Sequence, residues 1–116
     1  MTPEAIEQKA VYCAELAQER DREQAKLQEI EDMATTEILG QRDSGGKPVY
    51  SNETSRAIAI RQMCRDLARW RQCKDKIEAL ELDLAMQRAE LERLRGQFSA
   101  WKLEFRRTTA EMEAVA

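Results

Sequence analysis

The sequence predicts an all-α protein: an antiparallel two-helix coiled-coil hairpin with a long C-terminal helix, dimerising into a bundle. Three observations predict it. Every seventh residue from Trp70 is large and apolar: Trp70, Ile77, Leu84, Leu91, Phe98, Phe105 and Met112. A second series, Cys73, Leu80, Gln87, Leu94, Trp101, Thr108 and Val115, is apolar at five of its seven positions. Such a 3.5-residue seam, kept up over more than four heptads, is the signature of helices packing along a stripe. The third observation is composition: 35% of residues are charged, 5% are aromatic, and the 116 residues include only two prolines and four glycines. Long helices have this composition, and a disordered chain would lack the seam. The length fits a single helical domain, residues 1–116.

The first helix is expected over residues 2–40. Thr2 can cap it, Pro3 suits the first helical position, and Glu4 complements the positive end of the helix dipole. Its apolar positions are Ile6, Ala10, Cys13, Leu16, Ala17, Leu27, Ile30, Ala34 and Ile38. The pattern lapses between Gln18 and Lys26, where Arg20 and Glu23 take seam slots. The lapse reads either as a salt-bridged layer or, more plainly, as a solvated face with i,i+4 pairs.

A loop is expected over residues 41–51. Gly40 can stop the helix in the left-handed conformation, Asp43-Ser44-Gly45-Gly46 is turn chemistry, and Pro48 excludes helix just before it. Lys47 to Tyr50 are expected to be extended. Ser44-Gly45-Gly46-Lys47 lacks the spacing of a phosphate-binding loop.

The second helix is expected over residues 52–114, capped by Ser51 or Asn52. Ile58, Ile60, Met63, Cys64 and Leu67 form its first apolar face, with a small phase shift into the Trp70 register. Gly96 is its one weak point, at a cost of about 1 kcal/mol relative to alanine. A break there, folding residues 97–115 back as a third helix, is the alternative.

The formal net charge of −3 is unevenly spread. Residues 1–37 carry ten acids and four bases, and residues 56–76 carry seven bases and two acids. An antiparallel register would bring Glu29, Glu31, Asp32 and Glu37 near Arg56, Arg61 and Arg65. Arg61, Arg65 and Arg69, spaced by four, with Arg71 and Lys76 nearby, make a basic stripe that could instead contact phosphates without reading bases. Neutralising the acidic helix is the plainer role for it in a chain of this net charge.

The three cysteines are odd in number, lie at or beside apolar positions and have no CxxC spacing. With no histidine in the chain, they read as buried thiols in a reducing cytoplasm, without disulfide, zinc or cofactor. The acid pairs have no histidine beside them, so no catalytic residue is assigned and no small-molecule substrate is expected. No apolar run is long enough to cross a membrane.

Because the first helix is shorter, it covers the second only to about Leu91. Leu94, Phe98, Trp101, Phe105 and Met112 are left without an intramolecular partner, and leaving large apolar side chains in water costs about 1.5–3 kcal/mol each. This stripe is the candidate protein-interaction site, with an antiparallel homodimer as the simplest cover and a foreign protein as the other. Trp70 and Trp101 both lie on the seam and are expected in the core, and Trp101, on the uncovered part of it, is the better candidate for a hot spot.

Gly46-Lys47-Pro48-Val49-Tyr50-Ser51-Asn52-Glu53, followed by Arg56 and Ala57, resembles a junction in small uncharacterised helical-hairpin proteins of bacteria and their mobile elements. There an extended GKP-x-YSNE segment leads into a long arginine-containing helix. The resemblance implies a two-helix hairpin with an accessory role, such as that of a phage or mobile-element protein acting against host nucleic-acid or defence machinery. It covers about a dozen residues and carries over no catalytic residue. Two functions follow: a coiled-coil adaptor acting through a protein partner, or a nucleic-acid-associated accessory or inhibitor protein that uses the basic stripe.

Overall fold

The computed structural model describes residues 2–115. Its elements are α1 (Pro3–Gly40), α2 (Glu53–Asp66) and α3 (Ala68–Val115). The chain is all-α, with no strand among the described residues. It forms two compact units, one drawn from the chain up to Gln18 and from Glu81 onward, the other from Glu19 to Leu80.

Helix α1 starts as its sequence requires. Thr2 accepts from the Ala5 N–H through both its hydroxyl oxygen, at 3.2 Å, and its carbonyl, at 3.1 Å, and Pro3 has no N–H to leave unpaired. Its far end differs from expectation. Gly40 remains helical, and Gly46 is the positive-φ glycine, at φ 79°. The Arg42 guanidinium closes the last turn by donating to the Leu39 carbonyl at 2.7 Å.

The loop folds around Asp43. Its Oδ1 accepts from the Gly45 and Lys47 N–H groups, both at 2.9 Å, and its own N–H donates to the Lys47 carbonyl at 2.8 Å. Arg42 and Pro48 form an antiparallel bridge, so Lys47–Pro48 returns along the chain instead of simply extending from it. Asn52 then caps α2, its Oδ1 accepting from the Ser55 N–H at 2.7 Å.

The expected continuous helix over residues 52–114 is interrupted. Leu67 is extended, with φ −84° and ψ 119°, and separates α2 from α3. Its N–H still bonds to the Cys64 carbonyl at 3.1 Å, and the Arg71 side chain reaches back to the Arg65 carbonyl. The Cys64 and Arg65 carbonyls, left open where α2 stops, are thus occupied by Leu67 itself and by the first turn of α3. At Gly96, by contrast, α3 runs through without a break.

In the first unit the buried residues are Cys13 and Leu16 from α1 and Leu84 and Leu91 from α3. Lys9 donates to Gln87 at 2.7 Å and Tyr12 to Asp83 at 3.3 Å, so the two segments run antiparallel. In the second unit Ile30, Ala34 and Ile38 of α1, Cys64 of α2, and Cys73, Ile77 and Leu80 of α3 are buried. Pairs Glu23–Lys76 and Glu31–Trp70 again run in opposite directions. The buried α3 positions are those of the heptad seam. Ile58, expected on the apolar face, is 59% exposed.

Candidate functional site

Beyond Leu91 the seam of α3 emerges into solvent. Leu94 and Phe98 are half-buried, and every described residue from Ser99 onward is exposed. Trp101 is 59% exposed, Phe105 61% and Met112 69%. The reach of α1 explains where this begins. Lys9 lies across from Gln87, and Pro3 is six residues earlier, so the first turn of α1 ends near Arg93. All five residues of the expected interaction site therefore fall on one stripe at heptad spacing, and its last three stand free.

The stripe is ordered by its own side chains. Phe98 stacks on Trp101 with ring centroids 5.9 Å apart, and Trp101 stacks on Phe105 at 5.8 Å, both at an interplanar angle of 21°. The i, i+3 and i+4 spacings permit this on one helix face. Lys102 places its ammonium 5.1 Å from the Phe98 ring, a cation–π contact along the edge of the stripe. Arg107 pairs with Glu111 at 3.5 Å on the other edge. Toward Val115 the side chains become smaller, and Thr108, Glu111, Met112 and Val115 outline a shallow groove.

The basic residues are not gathered in the same way. Arg61 and Arg65 lie on α2, while Arg69, Arg71 and Lys76 lie on α3, with Leu67 breaking the four-residue repeat between Arg65 and Arg69. Arg71 is engaged with the Arg65 carbonyl, Arg69 contacts the Met33 sulfur at 3.8 Å, and Lys76 bonds to Glu23. None of Glu29, Glu31, Asp32 and Glu37 forms an ion pair with Arg56, Arg61 or Arg65 among the described residues. Glu31 instead accepts from the Trp70 indole N–H at 3.2 Å. Trp70 is half-buried and Trp101 exposed, where the sequence places both in the core.

A polar layer in the second unit was missed by the plainer reading of the Gln18–Lys26 lapse. Glu23 is 6% exposed. Its Oε1 accepts from Lys76 at 3.1 Å and Lys26 at 3.2 Å, and Cys73 donates its thiol to the Glu23 carbonyl at 3.1 Å. Hydrogen bonds from Lys76 and Lys26 hold the carboxyl below its ordinary pKa, outweighing the opposing effect of burial. Burial and the adjacent Glu23 carboxylate push the Cys73 thiol up, and burial pushes up Cys64. Both are therefore poor nucleophiles. All three cysteines are free and buried.

Elsewhere in the second unit, Ile38, Tyr50, Ile58, Met63 and Leu67 line an open groove beside the α2–α3 break. Among the described residues no helix is long and apolar enough to cross a membrane, and no group of potential metal ligands converges. No family model, no curated protein and no solved structure matches this chain.

Proposed function

We propose that this chain is a non-enzymatic coiled-coil interaction protein that docks through the C-terminal stripe Leu94, Phe98, Trp101, Phe105 and Met112, with a second copy of itself as the partner. What supports the reading is the stacked Phe98–Trp101–Phe105 row on the solvent side of α3. The half-buried Phe98 and the exposed Trp101 and Phe105 carry a large apolar area on one face, and such residues dominate binding energy when desolvated. The stripe also continues the seam that α1 covers in the first unit, so a helix is the shape it fits.

Light scattering across a concentration series tests this. The wild-type chain is expected to dimerise, and Trp101→Ala is expected to shift it toward monomer with the helical circular dichroism signal unchanged. A wild-type chain that stays monomeric to high concentration overturns the proposal.

A further inference from the structure

We infer that the partner on this stripe is the same stripe of a second copy, antiparallel, with the aromatic half of each against the smaller half of the other. This rests on the proposed self-association and fixes its direction and register. Phe98 then meets the partner's Val115, Trp101 meets the partner's Met112, and Phe105 meets the partner's Thr108.

Bulk is the first argument. Phe98, Trp101 and Phe105 fill one half of the stripe, and Thr108, Met112 and Val115 fill the other, where they outline a shallow groove. Cores pack best when large side chains face small ones. A two-fold axis across the helix achieves that at every layer. A parallel pair would set Phe98, Trp101 and Phe105 each against its own copy, and Thr108 against Thr108.

The second argument is space. In the first unit α1 occupies the seam of α3 up to about Arg93, so a second helix can lie on that seam only beyond it. An antiparallel partner helix runs in the same direction as α1 and prolongs its line along α3. With Phe98 opposite the partner's Val115, five residues separate that contact from the level of Pro3, about 7.5 Å along the axis. The two helices then approach without overlap. A register shifted one heptad inward would place the partner on Leu91, which α1 already buries. One shifted a heptad outward would leave Phe98 and Trp101 bare.

The flanks supply the test. Beside the seam, Lys102 and Thr109 line one edge and Glu104 and Glu111 the other. Antiparallel helices set like edges together, so Glu104 faces the partner's Glu111 and Thr109 faces the partner's Lys102. Parallel helices set opposite edges together, so Glu104 faces the partner's Thr109. Glu104 and Thr109 are exposed, which lets both be changed without disturbing the fold.

The dissociation constant of the dimer is therefore compared for wild type, Glu104→Lys and Thr109→Lys by sedimentation equilibrium at low salt. Antiparallel pairing predicts that Glu104→Lys tightens the dimer about 3- to 10-fold, by turning two repulsions into two ion pairs, and that Thr109→Lys weakens it by a similar factor. Tightening by Thr109→Lys with no gain from Glu104→Lys makes the pair parallel and overturns the inference while self-association stands. So does a dimer that neither substitution moves. A chain that is monomeric in all three forms overturns the proposed function as well.

Discussion

Glu23 on α1 and Lys76 on α3 meet 3.1 Å apart inside a seam of otherwise apolar residues. Lys26 shares the same carboxylate oxygen, and Cys73 bonds to the backbone of the same residue. The layer favours one alignment of α1 on α3, because a slip by one heptad would take the buried Glu23 away from both Lys76 and Cys73. Single polar layers of this kind fix register in helix pairs at a cost in stability.

Replacing Glu23 separates those two effects. Glu23→Ala is expected to lower the melting temperature, since Lys76 and Lys26 lose their acceptor and the seam gains a hole. Glu23→Leu is expected to recover the loss, because an apolar residue of similar volume commonly matches or exceeds a buried ion pair. Thermal melts followed by circular dichroism decide it. A leucine variant melting below the alanine variant would contradict the assignment.

The same carboxyl gives a pH dependence. It binds its proton more weakly in the folded chain than its ordinary value of 4.5, so its contribution is complete above that pH. It fades as acidification passes 4.5 and continues toward the lower folded pKa. Lys76, raised above its ordinary 10.5 by Glu23, keeps its side of the pair until alkali beyond that value. Glu90, held down by Arg93, adds a second acid-sensitive contribution. Denaturant midpoints between pH 7 and pH 3 are expected to fall for the wild type, and to fall less for Glu23→Leu.

The cysteines should be slow to react. Cys64 and Cys73 are buried with thiol pKa values pushed up, so little thiolate is present near neutrality and reagent reaches it only through opening. Alkylation by iodoacetamide at pH 7.5 is expected to be much slower than in 6 M urea. Equal rates would mean that this part of the chain is open in water.

Leu84 is the most enclosed large side chain, at 2% exposure. Leu84→Ala should cost about 2–5 kcal/mol, the range for removing a buried leucine side chain. Leu82 and Leu103 lie on the outer face of the same helix, 66% and 65% exposed. Leu103→Ala should change stability by less than about 0.5 kcal/mol. Urea unfolding of the two variants compares them directly.

The heptad series was legible because burial in α3 follows the seam, from Cys73 and Ile77 through Leu91, and lapses where α1 ends. The capping by Thr2 and Asn52 was legible for the same local reason: their side chains bond three residues away. The break at Leu67 was not, since Arg65-Asp66-Leu67-Ala68 contains neither glycine nor proline. Its trace is a run of three-residue steps, Cys64, Leu67, Trp70 and Cys73, too short for the 3.5 average that keeps a stripe on one face. Glu23 was hidden by distance: it stood in a seam slot, but apart from Lys26 the groups that bond it, Cys73 and Lys76, are 50 and 53 residues away.

A break in a helix also interrupts the ladder through which fraying is resisted. At Leu67 the continuous i to i−4 chain stops, so α2 and the Asp43 turn can open as one cooperative piece while α3 keeps its own ladder intact. Amide hydrogens between residues 43 and 66 should then exchange with deuterium together, through an opening cheaper than the one that releases residues 73–91.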